Sequence, residues 1–107
     1  MSSRREKIEA MLKLEPEDHF LRYGLATELD NEGQFEESLV IFRGLMKDKP
    51  PHVASFLRGA QLLVKMDEIA DARTALREGV EIARANGEMH AAGEMAELLA
   101  GLGAMGE

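Results

Sequence analysis

Apolar side chains recur every three to four residues along most of the chain, which is the period of an amphipathic α-helix. No segment alternates apolar and polar residues over the length of a strand, so the pattern predicts an all-α protein. Predicted helices lie at about 4–14, 17–31, 35–48, 53–65, 69–85 and 87–100.

Residues that favour turns mark the breaks between these segments. Pro16 and Pro50 disfavour helical backbone in the residue that precedes each of them. Gly33 and Gly87 predict helix ends, because glycine is the residue that most often follows a helix C-terminus. Glycine readily adopts the positive φ that this position requires. Asp67 stands at the corresponding break between the fourth and fifth helices, where a glycine would be expected.

The breaks and the apolar positions repeat along the chain. Pro16 and Pro50 are 34 residues apart. Three further pairs have the same separation, namely Ala26 and Ala60, Leu29 and Leu63, and Phe42 and Leu76. A 34-residue unit made of two helices and two turns has the length of a tetratricopeptide repeat, whereas HEAT and armadillo units are longer.

The residues at these positions resemble the tetratricopeptide repeat (TPR) motif over about residues 16–86. The first copy reads Leu25-Ala26-x-x-Leu29, Gly33, Ser38-x-x-x-Phe42 and Pro50, and the second reads Phe56-x-x-Gly59-Ala60-x-x-Leu63 and Ala72-x-x-x-Leu76. Arg22, Asp67 and Arg84 depart from the pattern. The resemblance implies a right-handed α-solenoid of antiparallel helix pairs.

The repeat divides a chain of 107 residues, which is short enough to form a single domain, 1–107. The predicted parts are a partial unit at 4–14, a first repeat at 19–52, a second repeat at 53–86, a capping helix at 87–100 and a flexible tail at 101–107. In the 34-residue register, some positions of the last helix correspond to core positions of the second and fourth helices. Polar or small residues occupy these positions in the last helix, as expected of a capping helix. These residues are His90, Gly93, Glu94 and Glu97.

The resemblance implies a concave groove lined by the first helix of each repeat. The residues predicted to line this peptide-binding groove are Phe20, Tyr23, Thr27, Asp30, Leu57, Arg58, Gln61 and Lys65. Aromatic and aliphatic side chains with a few polar groups are typical of a surface that binds peptides. Alternatively, Phe20 and Tyr23 simply cover the first helix. Arg58 and Lys65 would suit an acidic, apolar ligand.

Composition excludes several classes of function. The net charge is −7 and the pI is about 5.0, so nucleic acid is not an expected partner. There is no cysteine, and therefore no disulfide or thiolate site. No apolar run approaches the length of a membrane span, and no signal-peptide pattern follows the basic residues near Met1, which predicts a cytoplasmic protein without membrane contact.

Two features could be mistaken for sites. Gly101 to Gly106 match G-x-G-x-x-G, but no strand precedes them and no helix can follow. His19, His52 and His90 do not share the i, i+4 spacing of a helical metal site. The sequence therefore predicts no cofactor, no metal and no enzymatic activity.

The predicted function is a non-catalytic scaffold that binds a protein or peptide partner in the groove. The alternative is a self-assembling structural module. In that reading, a homodimer forms through the apolar side of the C-terminal helix, with Met95, Leu98, Leu99 and Met105 as its contacts.

Overall fold

A computed structural model describes residues 3–103, and these residues form six α-helices. The helices are α1 (Arg4–Leu14), α2 (His19–Asn31), α3 (Phe35–Lys47), α4 (Val53–Lys65), α5 (Ile69–Ala85) and α6 (Met89–Gly101). The all-α prediction is confirmed, and the predicted helix ends agree to within two residues. Helix α2 begins later than predicted because the Asp18 side chain caps it by accepting a hydrogen bond from the Leu21 N–H.

The helices fall into two compact units, one ending at His52 and the other beginning at Val53. In the first unit α2 packs against both α1 and α3. In the second unit α4, α5 and α6 each pack against the other two helices.

The core of the first unit forms mainly between α2 and α3. Phe42 and Leu45 of α3 are fully buried, and the Phe42 ring lies 5.8 Å from that of Tyr23. Ser38 is also buried, and its hydroxyl donates a hydrogen bond of 2.6 Å to the Ala26 carbonyl. This hydrogen bond gives the buried hydroxyl a partner, without which its burial would destabilise the fold.

The core of the second unit contains large apolar side chains from all three of its helices. Its largest fully buried side chains are Phe56, Leu62, Leu63, Leu76 and Met95. The second copy of the repeat motif, Phe56-x-x-Gly59-Ala60-x-x-Leu63, does not include Leu62. Gly79 of α5 allows a close approach, because a Cβ atom there would lie 2.6 Å from Phe56 Cβ and 2.6 Å from Met95 Sδ.

The predicted flexible tail at 101–107 begins within the last turn of α6. Gly101 belongs to α6, and Leu102 is only 3% exposed. The Leu102 carbonyl accepts a hydrogen bond from Nη2 of the buried Arg73 at 2.5 Å. Flexibility of the tail stays a prediction, and residues 104–107 lie outside the described part of the chain.

Three turns share one geometry, and each contains a residue with positive φ just after a helix. These residues are Gly33 (φ 81°), Asp67 (φ 61°) and Gly87 (φ 76°). In each turn the following N–H donates to a carbonyl five residues earlier, at 2.8 Å. This is the Schellman arrangement, in which a positive φ lets the last carbonyls of a helix find donors.

Asp67 is the one non-glycine residue with positive φ within residues 3–103, and it supports a stability prediction. We expect Asp67→Gly to raise the free energy of unfolding by about 0.5–1 kcal/mol, because glycine adopts this backbone conformation without steric cost. Urea denaturation followed by circular dichroism measures the change. Glu68→Gly is the control, since φ is −99° there and glycine should destabilise the chain. Equal effects of the two substitutions would contradict the prediction.

Candidate functional site

The structure distributes the predicted groove residues among three settings. Phe20, Tyr23 and Thr27 line a cavity in the first unit. Leu57 and Gln61 line a separate cavity in the second unit. Arg58 and Lys65 are absent from the lining of either cavity, and both already interact within the chain.

Asp30 differs from the other predicted groove residues because it is only 3% exposed and already has an interaction partner. A buried carboxylate of this kind does not present its charge to a ligand at the surface. Asp30 therefore does not belong to a surface that a partner could contact. The sequence pattern predicted that Asp30 faces outward from α2 into the groove, but the whole residue is buried.

The cavity of the first unit lies between α1 and α2 and has a volume of about 340 Å³. Residues from both helices line it: Arg4, Lys7, Ile8, Met11, Phe20, Leu21, Tyr23, Gly24 and Thr27. Ile8 is buried, whereas Met11 is 52% exposed and Phe20 is 80% exposed. An apolar wall that remains open to solvent is a feature of surfaces that bind partners.

Tyr23 lies both beside the core of the first unit and on the lining of its cavity. Its ring contacts the buried Phe42 and lies 5.1 Å from the His52 ring. It also lines the cavity between α1 and α2. Thr27 is less available to a ligand as a donor, because its hydroxyl donates a 3.0 Å hydrogen bond to the Tyr23 carbonyl. The exposed Phe20 is therefore the better candidate for contact with a partner.

Arg22 forms part of an ion-pair cluster beside this site, which explains its departure from the repeat motif. The Asp48 carboxylate accepts a hydrogen bond of 2.5 Å from Arg22 Nη1 and lies 2.9 Å from His19 Nε2. The hydrogen bond from Arg22 lowers the pKa of Asp48 below its ordinary value, and the charges of Arg22 and His19 act in the same direction. The cluster links the start of α2 to the residue that follows α3.

The cavity of the second unit lies between α4 and α6 and has a volume of about 320 Å³. Its walls are formed by Leu57, Gln61, Glu94, Glu97, Leu98 and Gly101. Both charged residues in this lining are acidic, which favours a basic group of a partner at this point. This differs from the acidic ligand that the sequence suggested for Arg58 and Lys65.

Two solved structures resemble this chain. A solution structure of a tetratricopeptide repeat domain protein from Salinibacter ruber has a TM-score of 0.79 and 27% sequence identity, and the match covers 84% of this chain and 91% of that one. A solution structure of a protein from Bordetella parapertussis has a TM-score of 0.81 and 24% identity, covering 95% of this chain and 89% of that one. The chain has a TPR-like fold. No protein-family model matches the sequence, and no curated protein matches it.

The TPR-like fold confirms the predicted resemblance and the predicted fold class. The predicted groove residues lie on α2 and α4. The helix preceding them, α1, contributes Arg4, Lys7 and Met11 to a cavity that the sequence analysis did not include.

The predicted homodimer contact on α6 is not supported by the positions of its residues. Met95 is 1% exposed, so its side chain belongs to the core and is not available to a second copy. Leu98 is half-buried and lines the cavity between α4 and α6. Leu99 is also half-buried, and Met105 lies outside the described residues.

Two kinds of feature are absent from residues 3–103, a metal-binding cluster and a membrane-spanning helix. Within that range, no group of three or more His, Cys, Asp or Glu side chains is arranged to hold a metal ion. His90 lies near Glu94, with 3.3 Å between Nε2 and Oε1, on the exposed side of α6. None of the helices in this range combines the length and apolar character that crossing a membrane requires.

Proposed function

We propose that this chain is a non-catalytic protein-binding module that contacts its partner through α2 and α4, the first helices of its repeats. The residues proposed to contact the partner are Phe20, Tyr23, Thr27, Leu57, Arg58, Gln61 and Lys65. The TPR-like fold supports a general role in protein interaction. The cytoplasmic location and the absence of a cofactor stay predictions from the sequence.

The observation that carries this proposal is the exposure of Phe20 beside an apolar cavity. A phenylalanine that is 80% exposed leaves most of its apolar surface in water. Covering such a side chain with a partner is favourable by about 25 cal/mol for each Å² of apolar surface removed from water. Aromatic side chains at the edge of a pocket are also frequent anchors of protein interfaces.

The proposal predicts that peptides selected on this protein depend on Phe20. A random peptide display library would be selected on the immobilised protein, and the affinity of enriched peptides measured by fluorescence anisotropy. We expect Phe20→Ala to weaken binding at least tenfold, equivalent to about 1.4 kcal/mol, because it removes an aromatic anchor.

Val40→Ala is the matched control for that experiment. Val40 lies on α3, is 71% exposed and lines neither cavity. Its replacement should leave peptide affinity unchanged. Failure to enrich any peptide, or equal effects of the two substitutions, would count against a binding role for this surface.

A further inference from the structure

The 34-residue register relates α1 to α3 and identifies the stripe of α1 that corresponds to buried residues of α3. Arg4, Ile8 and Met11 correspond to Ser38, Phe42 and Leu45, which are fully buried in α3. Two of these α3 residues contact the helix before them, α2. Ser38 donates a hydrogen bond to the Ala26 carbonyl, and the Phe42 ring contacts that of Tyr23.

The same stripe of α1 faces the cavity between α1 and α2. Arg4, Ile8 and Met11 all line that cavity. Met11 is 52% exposed, although its counterpart Leu45 is fully buried. The cavity therefore lies along a face that, one repeat later, packs against a helix. A helix is the occupant whose shape this face fits.

The charges at the cavity indicate the chemistry of that helix. The charged residues that line the cavity, Arg4 and Lys7, are both basic, although the whole chain carries a net charge of −7. Glu28 already contacts Arg4, with 2.9 Å between Oε1 and Nε. Lys7 is exposed and lies one turn from Met11. Lys7 therefore provides the charge that would distinguish an acidic partner from a basic one.

We infer that the cavity between α1 and α2 binds an acidic amphipathic helix of a partner protein. The apolar face of that helix packs against Met11 and Phe20, and its acidic side chains face Lys7. A helix of about three turns is sufficient, because the 11 residues of α1 extend only about 16 Å. This inference rests on the proposed binding function and specifies the class of partner for one of its surfaces.

Three peptide display libraries would test the inference on the full chain. Two would share a helical pattern of apolar residues at i, i+3, i+4 and i+7, with Glu at the flanking positions in one library and Lys in the other. The third would contain extended peptides with a proline at every third position. We expect the Glu library to be enriched at least tenfold over the Lys library.

Two substitutions that change the charge by the same amount then locate the binding site. Lys7→Glu should weaken the enriched Glu peptides about tenfold, since it places like charges opposite each other. Lys13→Glu, an exposed position of α1 outside the cavity, should leave their affinity within twofold of the original value. Amide chemical-shift changes on binding should be confined to α1 and α2.

The possible results separate this inference from the proposed function. Preference for the Lys library, or equal effects of Lys7→Glu and Lys13→Glu, would overturn the acidic partner and leave the binding function standing. Enrichment of the extended library alone, with dependence on Phe20, would overturn the helical partner only. If no library is enriched, including the random library, both proposals fail.

Discussion

Replacing Phe42 by Ala should lower the free energy of unfolding by about 3–5 kcal/mol, the range measured for truncating a buried aromatic side chain. The ring is fully buried in the first unit and contacts Tyr23 of the neighbouring helix. Its removal leaves a cavity between α2 and α3 and deletes their main aromatic contact. Urea denaturation, followed by circular dichroism at 222 nm, would measure the loss.

Phe20→Ala provides a control with the same chemical change at an exposed site. Because Phe20 is 80% exposed, its truncation should change stability by no more than about 0.5 kcal/mol. Comparing Phe42→Ala with Phe20→Ala therefore separates the effect of burial on stability from the effect of the phenylalanine side chain itself. A loss of less than about 1 kcal/mol for Phe42→Ala would mean that the first unit is not organised around this ring.

Adding a single methyl group at Gly79 should destabilise the chain by about 2 kcal/mol. The new Cβ atom would lie 2.6 Å from Phe56 Cβ and 2.6 Å from Met95 Sδ, so two helices would have to move away from α5. Phe56 Cβ is attached directly to the backbone and cannot shift without moving α4. Thermal unfolding of Gly79→Ala beside the unsubstituted chain would detect the effect as a lower Tm.

Gly93→Ala is the matched control and should have the opposite sign. Gly93 lies within α6, and a Cβ atom there would meet nothing within 4 Å. Alanine at that position should stabilise the helix by about 0.5–1 kcal/mol, because it restricts the unfolded chain without creating a clash. If both substitutions raised Tm, the close packing around Gly79 would be refuted.

The helices could be predicted from the sequence because each boundary has a local chemical cause. Pro16 excludes helical backbone from the residue before it, and Gly33 and Gly87 supply the positive φ that ends a helix. Asp67 shows the limit of this reasoning. The repeat register identified the turn correctly, but only the structure shows that an aspartate adopts the glycine-like conformation there.

The sequence could not predict contacts that depend on a side chain crossing between elements. Arg73 is of a type usually found at the surface, yet it is buried and its guanidinium donates to the Leu102 carbonyl. Leu102 lies within the range that the sequence predicted as a flexible tail, and the sequence gives no sign of this contact. Met95 was assigned to an outer surface, but the absence of a side chain at Gly79 allows it into the core.

The candidate site was predicted only in part. The 34-residue register shows which helices are equivalent, but it does not show which helices lie side by side around a cavity. Phe20 and Tyr23 were recognised on α2, whereas the contribution of α1 to the same cavity was missed. A signal for it was present in the sequence. Ile8 and Met11 occupy the positions of Phe42 and Leu45 one repeat earlier.

The packing of neighbouring helices also has a consequence for kinetics. Apart from α4 with α6, each substantial helix pair within residues 3–103 joins helices that are consecutive in the sequence. Such local pairs require the closure of only short loops, and proteins of low contact order fold in microseconds to milliseconds. Stopped-flow refolding of this chain should therefore be complete within the instrument dead time or shortly after it.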